Sequence, residues 1–207
     1  MTGSGNAPRL LLRGVYALID PARVEPVGFV EALLRGGIRL VQVRAKDGID
    51  GATLIAIVTR VRAAGGLTIL NDDVALARIA DGVHLGQRDA ANLHLPEVRR
   101  AMRDGIVGLS CGTPAEARAA DPKLVDYIGA GPAYATASKA DAREPIGPAG
   151  IAAIAAATTL PCAAIGGIGA STIGAIRAAG ATMAAVLGAL DTDDPEREAR
   201  LLVERWG

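Results

Sequence analysis

The chain has 207 residues, half of them apolar, and its 22 basic side chains balance 22 acidic ones. That length is enough to bury a substantial single core, and the absence of any basic run or stripe argues against nucleic acid and membrane surfaces as partners. Two cysteines, Cys111 and Cys162, form no CxxC pair and adjoin no histidine in sequence, so no disulfide framework or zinc site is expected and a reducing cytoplasm is the default.

Residues 1–13 read as a flexible lead-in and 14–207 as one domain. Apolar bursts of strand length fall at 15–19, 38–43, 67–70, 82–85, 106–109, 124–129, 162–165 and 183–187. Helix-like segments lie between and after them, at 26–35, 50–64, 73–79, 94–103, 113–120, 148–157, 170–179 and 193–205. Gly36-Gly37, Gly65-Gly66, Gly105 and Gly180 each follow a helix where a left-handed residue is wanted, and Thr113-Pro114 and Gly147-Pro148 mark helix starts. Strict alternation with right-handed crossovers predicts a parallel sheet, and eight units predict a single closed (β/α)8 TIM barrel. An open doubly wound sheet is the alternative if a short strand is miscounted. The long connection 130–147 is the length of a functional loop.

Barrels of this kind keep their chemistry on the loops after the strands. Within "LVQVRAK" (40–46), Gln42, Arg44 and Lys46 are spaced two apart and share one face of the second strand. Asn71, Asp72 and Asp73 follow the third strand, Gln87, Arg88 and Asp89 the fourth, and Ser110 the fifth. The sixth runs into Thr136, Ser138 and Lys139, the seventh into Gly166 and Gly167, and the eighth into Leu187 and Gly188. The glycines suit a phosphate held by bare backbone N–H groups, although a tight turn alone would also explain them. Asp72 and Asp89 together suit Mg2+, while Asp73 suits an N-cap. Arg44, Lys46 and Lys139 suit a polyanion, and the set fits a reaction that expels pyrophosphate while another phosphate is held.

In order and spacing, the motifs "VQVRAK", "LNDDVALA", "ADGVHLGQRD", "GLS", "DYIGAGPAYATASKAD" and "AIGGI" make the chain resemble the thiamine-phosphate synthase family over residues 15–190. The resemblance implies a cytoplasmic, Mg2+-dependent transferase that joins a pyrimidinylmethyl diphosphate to a thiazole phosphate through a dissociative step. It implies that Gln42, Arg44, Lys46 and Asn71 hold the diphosphate, with Arg44, Lys46, Ser110 and Lys139 as the catalytic set. It further implies Mg2+ on Asp72 and Asp89, and the thiazole phosphate on Thr136, Ser138, Gly167, Leu187 and Gly188. Three positions depart from the family pattern: Gly112 stands where a histidine is usual, Ser138 where a threonine is usual, and Gly188 where a serine is common. A thiazole tautomerase on the same barrel and a non-catalytic binder of thiamine precursors are the alternatives. Phosphorylated small molecules are the expected partners, and the sequence leaves a homo-oligomer open.

Overall fold

The computed structural model describes residues 8–86, 94–136 and 144–207. Eight parallel strands close into a barrel in chain order: β1 Gly14–Ile19, β2 Leu40–Val43, β3 Leu67–Asn71, β4 Gly82–Leu85, β5 Ile106–Cys111, β6 Tyr127–Ala130, β7 Cys162–Ile165 and β8 Met183–Val186. Closure is made by β1 pairing with both β2 and β8, with Tyr16 opposite Leu40 on one side and Ala185 on the other. Around the barrel run α1 Pro26–Arg35, α2 Gly51–Ala63, α3 Leu95–Met102, α4 Pro114–Ala119, α5 Gly147–Ala155, α6 Ile173–Ala178 and α7 Pro195–Trp206.

The helices begin where capping chemistry is available. Asp50 accepts from Thr53 N–H to start α2, and Thr113 and Glu116 form a reciprocal capping box on α4. Proline occupies an opening position of α1, α3, α4, α5 and α7.

Several elements differ from the sequence expectation, among them the second strand, which begins at Leu40 rather than 38; three differences have a clear local cause. The third crossover, expected as a helix over 73–79, is a 3-10 turn at Leu76–Arg78, because β3 and β4 leave only 72–81 for the whole return. Asp73 does act as a cap there, accepting from Leu76 N–H at 2.9 Å. The sixth strand begins at Tyr127 rather than 124, since Leu124 and Val125 donate back to Asp121 in a turn. After α3, the positive φ expected of Gly105 falls on Arg103 (φ 53, ψ −113); glycine is needed at 105 because a Cβ there would lie 2.9 Å from the Met102 carbonyl oxygen.

The strands sort their side chains by parity. Val15, Ala17, Ile19, Val41, Val43, Val83, Leu85, Val107, Ile128, Ala164 and Val186 pack outward in the core shared with the helices. Tyr16, Leu18, Leu40, Leu67, Ile69, Ile106, Tyr127, Ala163, Met183 and Ala185 fill a second cluster inside the barrel. Among the described residues, no helix is long and apolar enough to cross a membrane.

Candidate active site

Above the inner cluster, at the C-terminal ends of the strands, opens a cavity of about 1120 Å3. Its wall continues the inward parity: Gln42 and Arg44 from β2 and its end, Asn71 from β3, His84 and Gly86 from β4, Ser110 and Gly112 from β5, Gly129 from β6, and Leu187 from β8. The in-phase polar residues of "LVQVRAK" therefore rise from the floor to the rim. Gln42 is buried, Arg44 half-buried and Lys46 exposed. The Arg44 backbone N–H extends the sheet one residue by donating to Ile19 at 2.8 Å. Among the described residues, neither the Arg44 nor the Lys46 side chain has a hydrogen-bond or ion-pair partner.

Asp72, just past the end of the neighbouring strand β3, has a positive φ (62), which aspartate tolerates better than most side chains. Its backbone N–H donates to the His84 carbonyl and its carboxylate accepts from Gly86 N–H, both at 2.9 Å. The Asn71 amide also donates to that carboxylate. The carboxylate is thereby fixed at the cavity edge. Among the described residues, no cluster of three or more His, Cys, Asp or Glu side chains is assembled.

Gly166 and Gly167 both have positive φ, at 103 and 60 degrees. A Cβ on Gly167 would lie 2.5 Å from the Ala135 carbonyl oxygen, so the loop after β6 lies directly against the loop after β7. Ala133 and Tyr134 N–H fasten it there, donating to Ile165 and Gly166. The contact brings half-buried Thr136 to the same wall as Gly167 and Gly188. The expected helix at 170–179 starts only at Ile173, because the Thr172 hydroxyl engages both the N–H and the carbonyl of Gly169 and holds a turn first. Gly188 opens a 3-10 turn, Gly188–Leu190, whose first N–H groups cannot be satisfied within the turn. Asp89, Ser138 and Lys139 lie outside the described residues.

Beneath these groups lies a polar network not foreseen from the sequence. Gln42 donates to the Tyr16 hydroxyl at 2.8 Å, and Tyr16 bonds to the Tyr127 hydroxyl at 2.8 Å. His84 bridges Tyr127, through Nδ1 at 2.9 Å, to Ser110, through Nε2 at 3.0 Å. The His84 ring stacks on Tyr127 at 5.4 Å between centroids. Glycines give the rings room: a Cβ on Gly108 would lie 2.2 Å from the Tyr127 ring, and one on Gly129 would lie 3.0 Å from His84. Burial lowers the His84 pKa to about 4 and raises both tyrosine pKa values, so the network stays neutral at ordinary pH. The signal that would have found it is parity, since Tyr16, His84 and Tyr127 occupy the same inward phase as Gln42 and Ser110.

Comparison with known proteins matches this architecture. The family described as thiamine monophosphate synthase fits residues 15–190. A thiamine-phosphate synthase of Anaeromyxobacter dehalogenans is 43% identical over 197 residues, 92% of this chain and 86% of the relative. A thiamine biosynthesis bifunctional protein of Symbiobacterium thermophilum is also 43% identical, over 96% of this chain, which spans 42% of that longer protein. The solved thiamine phosphate pyrophosphorylase of Pyrococcus furiosus superposes with a TM-score of 0.84 at 27% identity, over 95% of this chain and 96% of that one. With the match running from the first strand past the last, the chain belongs to the thiamine monophosphate synthase family.

Proposed function

We propose that this chain is a thiamine-phosphate synthase, joining a pyrimidinylmethyl diphosphate to a thiazole phosphate with release of pyrophosphate. The observation that carries the reading is a pair of cations, Arg44 and Lys46, that have no hydrogen-bond or ion-pair partner among the described residues and rise on the cavity wall that also bears Asp72. Arg44 offers a planar fork to diphosphate oxygens, and Lys46 adds a point charge at the rim. Ser110 and Asn71 border the same space and take the remaining polar contacts of that substrate, with Gln42 at its floor. Lys139 would add a further cation from the loop after β6. Thr136, Ser138 and the backbone of Gly167, Leu187 and Gly188 would receive the thiazole phosphate, the first two bringing hydroxyls and the last three backbone N–H groups.

The donor set at Asp72 fits Mg2+. It is one oriented carboxylate beside a cavity large enough for a phosphorylated substrate, and this ion commonly uses only one or two protein carboxylates with water and substrate phosphate. Asp72 and Asp89 would hold it. When bound, the ion supplies charge neutralisation for the departing pyrophosphate. The chain's own cations do the same work from the β2 side, and no nucleophile–base pair is needed when leaving-group stabilisation carries bond cleavage. The apolar side chains of Leu18, Ile165 and Leu187 at the cavity floor and wall suit the two flat heterocycles.

The isomerase alternative finds no support in the placement of the histidines. His84 has both nitrogens engaged in the core, and His94 precedes α3 with an exposed side chain. Purified protein supplied with both substrates and Mg2+ is expected to form thiamine phosphate and pyrophosphate in equal amounts. Folded protein that forms neither would overturn the reading.

A further inference from the structure

The hydrogen bonds that cross the barrel under the cavity have a direction. Gln42 Nε2 is a donor, so the Tyr16 oxygen accepts from it. If Tyr127 also donated to Tyr16, the Tyr16 proton would be left in an apolar interior with no acceptor among the described residues. Tyr16 and Tyr127 are 1% and 0% exposed, so such an orphan is strongly disfavoured. The consistent order is that Tyr16 donates to Tyr127, Tyr127 donates to His84 Nδ1, and His84 carries its proton on Nε2 and donates to Ser110 Oγ. Ser110 then accepts from the core, and its own proton is turned toward the cavity.

We propose that Tyr127 and His84 are positioning residues that fix the Ser110 hydroxyl as a hydrogen-bond donor toward an acceptor atom of the diphosphate substrate. This inference rests on the transferase reading above. Two features support it. Five strands (β1, β2, β4, β5 and β6) each contribute one member, so the file is built into the barrel rather than into a loop. Gly108 and Gly129 admit the rings: a Cβ on Gly108 would overlap Tyr127 at 2.2 Å, and one on Gly129 would press on His84 at 3.0 Å. A chain of donors aligned in one sense strengthens its terminal bond, and the terminal bond here meets the oxygen on which charge develops as the diphosphate departs.

The test reads the tautomer directly. The chain has two histidines, so nitrogen-15 NMR of the wild-type protein, with a His94→Gln variant for assignment, isolates the His84 ring. The expected result is a protonated Nε2 and a bare Nδ1, both alone and with Mg2+ and inorganic pyrophosphate. The reverse tautomer would mean that Gln42 presents its oxygen to Tyr16 and that Ser110 donates inward, which overturns the inference while leaving the transferase reading intact. Tyr127→Phe keeps the ring on His84 but removes the relay hydroxyl. It is expected to lose the single-tautomer signature, weaken pyrophosphate binding about tenfold and lower kcat. The KM for the thiazole phosphate should stay unchanged. His84→Gln, which retains an amide donor near Ser110, should recover part of the activity that His84→Leu loses. If Tyr127→Phe shifts all kinetic parameters together with thermal stability, or none of them, the role is structural and the inference fails. Wild-type protein that makes no thiamine phosphate would instead overturn the transferase reading, and with it the ligand named here.

Discussion

The two ends of the barrel use charge in opposite ways. At the end where the strands begin, Asp126 accepts from Val107 N–H, from Arg99 and from Arg9, and Asp81 accepts from Thr68 N–H and from Arg62. Arg99 also donates to the carbonyls of Arg103, Gly105 and Leu124, tying down the chain between α3 and β6. These ionic groups are consumed in holding backbone. At the end where the strands finish, Arg44 and Lys46 have no protein partner among the described residues, although both border a large cavity. Charge that stabilises the fold is paired inside the fold, whereas charge that serves a ligand leaves its hydrogen-bonding capacity open.

That contrast breaks most readily at Arg44. Arg44→Ala is expected to lower kcat/KM for thiamine phosphate formation by ~10²–10³-fold. Its unfolding free energy should stay within about 0.5 kcal/mol of wild type, because the side chain makes no hydrogen bond or ion pair among the described residues. Steady-state kinetics beside urea denaturation measure both. A variant that loses stability in proportion to activity would show that Arg44 belongs with Asp126 rather than opposite it.

His84 lies between the two ends and gives the contrast a pH signature. Its folded pKa is lowered to about 4, against 6.5 when free, so between those values the unfolded chain binds more protons than the folded one. Stability therefore falls as pH drops from 6.5 toward 4, and the contribution of this group is on the order of 3 kcal/mol when complete. Urea unfolding at pH 7 and pH 4.5 should show a smaller difference for His84→Gln than for wild type. An equal difference in the two proteins would mean that carboxylates alone set the acid limit.

At the closed end the expected pattern inverts that of Arg44. Asp126→Ala removes the acceptor for a buried N–H and for two guanidinium groups. The cost should be about 2–3 kcal/mol, less than for a fully buried pair because the Arg9 side chain is 36% exposed. Turnover per folded molecule should be retained. An active-site titration beside thermal unfolding separates the two quantities.

How far the sequence reveals these features depends on the range of the interaction. The eight-fold alternation was visible because each βα unit is local, and it failed only where the stretch between β3 and β4 is too short for a full helix. Gln42 and Arg44 stood out because parity exposes polar residues in an apolar strand. Asp126 and the Tyr16–Tyr127–His84 network did not, although all obey the same geometry. Tyr16 and Tyr127 are 111 positions apart and meet only because Gly108, on a third strand, leaves the space. A buried tyrosine reads as packing until its partner is known, and Asp126 fell inside the expected strand 124–129, where nothing in the local pattern marked its distant arginine partners. Conversely, Arg103 takes the positive φ after α3 even though Gly105 stands two residues away, and Gly105 is instead needed for its close approach to the Met102 carbonyl oxygen.

Arg23 supplies the finest test of the contrast, because it is a cation at the open end that is nevertheless paired. It follows β1, lines the cavity and forms an ion pair with Asp191 beyond β8, with side chains 42% and 36% exposed. If pairing marks a charge as spent, Arg23→Ala should lower kcat/KM by about fivefold at most, equivalent to ~1 kcal/mol, and should change stability by ~0–1 kcal/mol. Asp191→Ala removes the partner and leaves Arg23 open toward the cavity, so it should tighten pyrophosphate binding in low salt and lose that gain as ionic strength rises. Position and pairing are thereby separated. Should Arg23→Ala prove as damaging as Arg44→Ala, location at the mouth would outweigh pairing, and the division between the two ends would be one of place rather than of satisfied charge.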